Sequence, residues 1–565
     1  MERNLSALAG TQFDLVIVGG GVNGAATARD AALRGLKVAL VDAGDFAGGT
    51  SSRSSKLIHG GLRYLAQGDF KLVREARLER RLLLQLAPHL AQPLPFLLPI
   101  YRGDPFSPLK MRVGLTIYDW LGNLGRKDRH RFYSPAETLR RVPALRPDDL
   151  RAGAVYHDSL TDDARLTFEN VLDAADHGAV VENYAQVRHF AIDPNKGAIT
   201  HAEVEDRLTG RTYEIAGRYW VNAAGPWVDR VRALLPGHDG SKTIRMTKGT
   251  HVILPCVSGV YALFAAILPG ERIFLMMPWH GHSLLGTTDT EYVGEPEDAA
   301  PELADVEYLI SALNRVLREP VAAESVLGCY AGLRALVVEP GKRPSANTRE
   351  YRFHRDPWAK NLITVCGGKL TTSRALGEKL ADVVISELPG LASQAASMPS
   401  RTQPLPGGNI CGTFEDFVNC GRVSAVREFG VPPESAERLV RTYGSRWRKV
   451  LEPVRAQKWL AEPLPGGSTL LAAEVLFSMR EEMAVRVEDF LLRRSGLSWM
   501  ISAYPESAPA AARLFAGELD WSDRERQAGI ERYERAAHAG NHKSEANSRL
   551  YRFAISANAK HGNKA

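Results

Sequence analysis

The sequence predicts an α/β, Rossmann-like fold with an interleaved antiparallel sheet and a helical C-terminal domain. Three observations carry this expectation. A glycine-rich strand–turn–helix–strand unit fills Phe13–Asp42, a second glycine-to-helix junction follows a strand at Leu362–Val365, and the pattern from Thr413 to Phe515 is mostly helical.

In the first unit, Leu15–Val18 is a short apolar, β-branched run of the kind that forms a buried strand. Gly24–Leu33 is Ala-rich with helical periodicity, and Lys37–Val41 is a second strand closed by Asp42. Gly19, Gly21 and Gly24 stand between strand and helix at the G-x-G-x-x-G spacing. Gly19 permits the tight turn, Gly21 lets backbone approach a pyrophosphate, and Gly24 lets the helix pack closely on the strand. The pyrophosphate then rests on N–H groups at the positive end of the helix. Asp42 can accept both hydroxyls of an adenosine ribose and would repel a 2′-phosphate, which favours FAD or NAD over NADP. The early position of the unit and the length of chain after it lean toward a flavoprotein.

With 565 residues, 44% hydrophobic and 24% charged, the chain can hold two or three domains with real cores. The formal net charge of +6 is compatible with an anionic substrate or an anionic membrane surface. No basic-aromatic module points to nucleic acid. Cys256, Cys329, Cys366, Cys411 and Cys420 lack metal-ligand spacing, so no metal site is expected. They read as reduced, mostly buried thiols of a cytosolic protein. The N-terminus lacks the features of a signal peptide. The most apolar segment, His251–Pro269, is broken by Pro255 and Gly259, so any membrane contact is expected to be peripheral.

Along the chain, Gly49–Leu65 places Thr50, Ser51, Ser52, Ser54 and Ser55 around Arg53, followed by Lys56, His59, Arg63 and Tyr64. Such donors suit a phosphate or a flavin edge, and a solvated loop is the other reading. Asp69–Ala87 reads as a helix capped by Asp69 and ended by Pro88. In Lys110–Arg131, Val113, Ile117, Leu121 and Leu124 share one helical face between basic flanks. That is the pattern of an interfacial helix on anionic lipid, or of a helix packed on the core beside a basic loop. Asp162–Ala175 is a further helix, with strands at Ala179–Tyr184, Ala202–Asp206 and Tyr213–Gly225, the last opening into a helix at Pro226. Lys248–Leu254, Arg272–Gly286 and Tyr330–Val338 look like strands, the first two of an antiparallel sheet. After Leu362–Val365 come Cys366–Thr372 and a helix through Leu388, with Lys369 at the junction. A helix N-terminus plus a lysine would stabilise the negative charge that a flavin gains on reduction; a merely solvated lysine is the alternative. Beyond a loop at Pro399–Gly408, helical stretches fall at Phe414–Phe429, Ala436–Tyr443 and Val485–Arg494, without a catalytic constellation.

The segments VIVGGGVNGAATARDAALRGLKVALVD, SSKLIHGGLRYL, DDARL, VNAAGPW, KGTH, GTTD, AGLRAL and CGGKLTTSR closely resemble the FAD-dependent, quinone-linked (aerobic) glycerol-3-phosphate dehydrogenases. TYGS and VEDFLLRR fit that family's helical domain, and the similarity runs from about Phe13 to Gly517. The resemblance implies a fold of the glycine oxidase/D-amino acid oxidase type. Residues 1–400 would form an FAD-binding domain (about 13–100, 150–245 and 330–390) interleaved with a substrate domain (about 100–150 and 245–330). A helical domain over 401–520 and a polar, poorly ordered tail over 521–565 would follow.

By the same resemblance, FAD is held noncovalently by Gly19, Gly21, Gly24, Asp42, Thr50, Ser51, Ser52, Ser54, Ser55, Gly225, Gly367, Gly368, Lys369, Leu370 and Thr371. The implied substrate is sn-glycerol 3-phosphate, recognised by Arg63, Tyr64, His251, Arg334, Arg349 and Lys369. The chemistry agrees, because arginine forks suit a phosphate dianion and a secondary alcohol must lose a hydride and a proton. His251 is the expected proton acceptor, since imidazole titrates nearest neutral pH, although it could equally only hydrogen-bond substrate or core. Arg334 would stabilise the alkoxide and Lys369 the flavin, and both are taken as catalytic with His251. Electrons would pass to a ubiquinone-type acceptor, with the protein peripheral on the cytoplasmic face of the inner membrane, in part through 110–131; a homodimer is compatible with this. Ala335 stands where the family usually has proline, and Arg53 interrupts the hydroxyl run. Competing readings are a soluble glycerol-3-phosphate oxidase using oxygen, a flavin-dependent amine or amino-acid oxidase, and a non-catalytic flavin sensor.

Overall fold

The computed structural model describes residues 1–65, 68–122, 129–266, 273–338, 351–391 and 398–537. Among these, the strands form two sheets. The first is parallel at its centre, in the order Val180–Glu182, Val38–Val41, Gln12–Val18, Thr212–Asn222 and Leu362–Cys366. Arg352–Arg355 joins antiparallel at one edge, and the hairpin Ala185–Asp193/Ala198–Asp206 extends the early end of Thr212–Asn222. All four residues of Val38–Val41 are buried, as a strand covered on both faces requires. Helices Val22–Leu33, Asp163–Asp176 and Ser373–Glu387 share one core with the strands, through residues such as Ala28, Val171 and Leu380. The close approach of Ser373–Glu387 to Val22–Leu33 depends on Gly377, where a Cβ would lie 2.6 Å from the backbone of Ala26.

The second sheet runs Leu57–Ile58, Leu150–Thr161, Ala91–Tyr101, Ala262–Ala266, Ile273–Trp279, His282–Gly286 and Ile244–Pro255, with Gly328–Val337 also paired to the last. It is antiparallel except where Ala262–Ala266 meets Ala91–Tyr101. The sheet therefore draws on 91–101, 150–161 and 328–337 as well as on 245–330. Ala91–Tyr101 is hidden in the sequence by Pro93, Pro95 and Pro99. Successive N–H groups of a strand point to alternate sides, so three prolines at odd positions leave one edge intact. That edge supplies the long register with Leu150–Thr161.

The C-terminal helices Phe414–Phe429, Pro433–Tyr443, Ala472–Glu481 and Ser507–Leu519 do not stand apart from the sheets. Leu57 and Tyr330 of the second sheet share a core cluster with Phe490, Trp499 and Phe515. Buried ion pairs cross the same boundary, including Arg165 Nη1 to Glu482 Oε2 at 2.7 Å.

Several expectations are corrected. The helix expected over 110–131 spans Pro108–Leu121, capped by Ser107, and buries Leu115 and Tyr118 while Val113 faces outward. Leu124 and its neighbours at 123–128 lie outside the described residues. The chain expected to be a poorly ordered tail from 521 folds as a helix over Asp523–Ala537, because Gly529, Tyr533 and Ala537 recur at helical spacing and are buried. Its charged remainder masked that stripe; 538–565 lie outside the described residues. The cysteines are not mostly buried: Cys256, Cys411 and Cys420 are exposed, Cys329 is intermediate and Cys366 buried. No helix among the described residues is long and apolar enough to cross a membrane.

Candidate active site

A cavity of about 1120 Å³ runs from the first glycine turn, between the two sheets, to the Gly328–Val337 strand. It exceeds what a small substrate alone would occupy. At its entry, Gly19 has φ +110°, and a Cβ there would sit 2.7 Å from the carbonyl oxygen of Ala223. A Cβ on Gly24 would collide with the carbonyl oxygen of Gly19. The tight turn and the close packing of helix on strand thus each require glycine at these two positions. Asp42 accepts from the N–H of Gly20 at 2.6 Å and of Gly44 at 2.8 Å. Removal from water, followed by the charge of Asp45, pushes its carboxyl up to about 6 against those two bonds. Ser51 Oγ accepts from Val22 N at 2.9 Å, which leaves its own O–H to donate at the helix N-terminus.

The second glycine junction closes the same cavity. Gly367 and Gly368 have φ of +80° and +106°, and Asn23 Nδ2 donates to the Gly367 carbonyl at 3.1 Å, tying the two junctions together. A Cβ on Gly368 would meet Asn23 Nδ2 at 2.8 Å. Lys369 follows, with Nζ 3.7 Å from the centroid of the buried Tyr64 ring, and Thr371 Oγ1 accepts from His59 N at 3.2 Å. Strand Gly328–Val337 brings Arg334 opposite Thr247, and pairing continues through Ala335, so the alanine leaves the strand unbroken. Arg334 Nη2 donates to Thr287 Oγ1 at 3.1 Å, and Nη1 lies 3.4 Å from Asp289 Oδ1.

His251 is buried beside this cationic group. Its Nε2 is 2.8 Å from Ser55 Oγ, its ring stacks on Tyr330 with centroids 4.8 Å apart, and Nδ1 has no hydrogen-bond partner among the described residues. Burial, then the charges of Arg334 and Lys56, lower its pKa to about 3. The expectation of a base titrating near neutrality is therefore corrected: before substrate enters, this imidazole is neutral and weakly basic. Tyr330 in turn stacks on Trp499 of the C-terminal domain at 5.3 Å, and Trp499 Nε1 donates to Ser52 O at 2.8 Å.

Most residues singled out in the sequence converge here. Gly19, Gly21, Asp42, Thr50, Ser51, Ser54, Ser55, Tyr64, Gly225, His251, Arg334, Gly367, Gly368, Lys369, Leu370 and Thr371 line the cavity. Gly24 lies behind it in the helix, and Ser52 is buried away from it, its carbonyl held by Trp499. Thr50 and Ser54 spend their hydroxyls on the Leu333 carbonyl at 2.6 Å and on Asp163 Oδ2 at 2.7 Å. They hold the loop to the strand and helix as much as they face the cavity. Arg63 lies in the short helix Leu62–Leu65, and Arg349 lies outside the described residues. Sequence reasoning missed Asn23, Tyr184 and Val187, and, from the C-terminal domain, Arg486, Glu488 and Arg493. Only the VEDFLLRR segment hinted at Glu488 and Arg493, and Arg486 lies just before it.

Fold and cavity together define a flavin-dependent oxidoreductase: residues 14–383 match the model of the family described as FAD dependent oxidoreductase. Residues 398–526 match that described as the C-terminal domain of alpha-glycerophosphate oxidase. The chain is 36% identical over 536 residues to an aerobic glycerol-3-phosphate dehydrogenase of Staphylococcus epidermidis, covering 93% of this chain and 94% of the relative. It belongs to the aerobic glycerol-3-phosphate dehydrogenase family, and its cofactor is FAD. Among solved structures, the glycerol-3-phosphate dehydrogenase from Bacillus halodurans complexed with FAD superposes with a TM-score of 0.75 at 28% identity. That match covers 95% of this chain and 96% of the other. Glycine oxidase from Geobacillus kaustophilus shares the fold, at a TM-score of 0.50 and 20% identity over 68% of this chain and 98% of the other.

Proposed function

We propose that this protein oxidises sn-glycerol 3-phosphate to dihydroxyacetone phosphate and delivers the electrons to a membrane quinone. The observation that carries the substrate assignment is the pairing of cationic Arg334 and Lys369 with a neutral, buried His251 at one end of the cavity. FAD, when bound, supplies the acceptor for the hydride that leaves C2.

The residues divide the remaining work. The Arg334 guanidinium and Lys369 ammonium hold the phosphate dianion, with Arg63 and Arg349 as further cations. Arg334 also opposes the negative charge that develops on the C2 oxygen as its proton departs. His251, with Nε2–H donating to Ser55, keeps Nδ1 as the acceptor for the C2 hydroxyl once substrate entry opens its sealed surroundings. A dianion beside Arg334 offsets one of the charges that depress the histidine, so substrate binding raises its basicity when a base is needed. The stack of Tyr330 and Trp499 keeps the ring in place and water out.

The outer face of helix Pro108–Leu121 supports the membrane part of the reading. Leu109, Val113 and Trp120 are 72%, 54% and 79% exposed, and Phe106 just before the helix is 37% exposed. A contiguous apolar stripe beside Lys110 and Arg112 suits insertion among anionic headgroups, where a quinone is accessible. This reading puts the enzyme at the cytoplasmic face of the inner membrane.

The test is an anaerobic visible titration of the holoprotein with sn-glycerol 3-phosphate, with glycerol and a small amino acid as controls. Bleaching of the oxidised-flavin band by the phosphate ester alone is expected, and bleaching by an amine instead would overturn the substrate assignment. Reoxidation should be faster with a ubiquinone analogue in anionic vesicles than with oxygen; the reverse order would favour an oxidase.

A further inference from the structure

We infer that Glu488 of the C-terminal domain binds the adenosine half of FAD, so that this domain is a working wall of the cofactor site. Glu488 lines the same cavity as the glycine turn, although it lies far from that turn in sequence. Its side chain is buried, with the residue 8% exposed, and Oε2 has no hydrogen-bond partner among the described residues. A largely buried carboxylate that lines a cavity without a protein donor costs free energy, so the position makes physical sense when a ligand in that cavity supplies one.

The contacts around Glu488 fix which end of the cavity it faces. Tyr184 N donates to the Gly44 carbonyl at 2.8 Å and Ala185 N to the Asp42 carbonyl at 2.7 Å, which sets Tyr184 next to the ribose-binding acid. Tyr184 Oη donates to Asp489 Oδ1 at 2.6 Å, and the Arg486 guanidinium lies 4.3 Å from the Tyr184 ring centroid. Glu488 sits between those two residues in sequence, so it belongs to the Asp42 end. There the ligand offers donors on adenosine, its ribose hydroxyls and its amino group, whereas the pyrophosphate offers acceptors only.

The segment is also held rigidly. Asp489 Oδ2 accepts from the N–H groups of Val485 and Arg486 at 3.0 and 2.9 Å, and Oδ1 from Arg493 Nη2 at 2.6 Å. A π-helical turn, Phe490–Arg494, aims both Arg493 and Arg494 at Asp45, with Nε of Arg493 at 2.5 Å and Nη2 of Arg494 at 2.8 Å. Burial would raise Asp45, but Arg494 and Arg493 overcome it and hold its carboxyl below the usual range. Neighbouring acids are thus matched by arginine or by the backbone. Glu488, which lines the cavity, has no such partner among the described residues.

The experiment compares the parent with Glu488→Ala and with the equally long Glu488→Gln. FAD release from diluted holoprotein is followed by the rise in flavin fluorescence, and binding of FAD and of ADP to flavin-stripped protein by calorimetry. We expect about tenfold faster FAD release for Glu488→Ala and an equal loss of FAD and ADP affinity, since both ligands carry adenosine. Glu488→Gln, which retains one acceptor oxygen, should fall between. Release within twofold of the parent for both variants, or FAD weakened with ADP unaffected, would overturn the assignment. If the stripped protein does not bind ADP, the release rates decide alone.

Discussion

The two ends of the cavity differ in the groups they hold. At the adenosine end carboxyls stand among arginines: Asp42 bonded to two backbone N–H groups, Asp45 clamped by Arg493 and Arg494, and Glu488 near Arg486. At the end proposed for the substrate stand the cations Arg334 and Lys369, with a histidine kept neutral by burial and by the charges of Arg334 and Lys56. Adenosine presents hydroxyl and amino donors, whereas a phosphate ester presents charge-bearing acceptors, so each end mirrors its ligand.

The contrast can be broken at several points. The largest effect is expected from Gly24→Val, whose side chain has nowhere to go against the Gly19 carbonyl. The expected product is protein without flavin, read from the ratio of visible to ultraviolet absorbance, because the turn that carries the pyrophosphate must open. Next is Arg334→Met, which removes the charge at the substrate end and leaves the adenosine end alone. We expect kcat/KM for the phosphate ester to fall about 1000-fold with flavin content intact. Charging the outer helix face, with Leu109→Glu and Trp120→Glu together, touches neither end. It should weaken binding to anionic vesicles about 100-fold in a sedimentation assay while dye-coupled turnover is kept.

The smallest effect is a pH dependence confined to the adenosine end. Asp42 is raised to about 6 in the ligand-free protein. Ribose donors favour its ionised form, so the complex binds fewer protons than the ligand-free protein as the pH approaches that value from above. Affinity for FAD should then decline as pH falls through about 6, by at most tenfold per unit, in a fluorescence titration from pH 8 to 5. Flat affinity across that range would mean that Asp42 does not face the ribose.

The adenosine cradle was legible because its parts are adjacent in sequence: Gly19 to Asp42 contains strand, turn, helix and acid in one short unit. The Cys366–Thr372 junction was legible for the same reason. What escaped is what arrives from far away or against local preference. The strand Ala91–Tyr101 hid behind prolines that fall on one edge. The helix Pro108–Leu121 was seen, but which side it buries was not, because Leu115 and Tyr118 compete with Val113 and Trp120 and only tertiary contact decides. His251 was singled out and does line the cavity, yet its depressed pKa depends on burial and on Arg334 and Lys56, neither of which shows in a motif. Glu488, Arg493 and Trp499 looked like parts of a separate helical domain, since nothing local ties them to residues near the N-terminus.

The most direct test of the account is the dependence of turnover on the phosphate group. Holoprotein with an artificial dye acceptor should be assayed with sn-glycerol 3-phosphate and with glycerol, which share the carbinol but not the anion. kcat/KM should be at least about 1000-fold higher for the ester, an advantage lost when Arg334 is replaced by methionine. Comparable turnover of both alcohols, or a preference that survives the replacement, would contradict it.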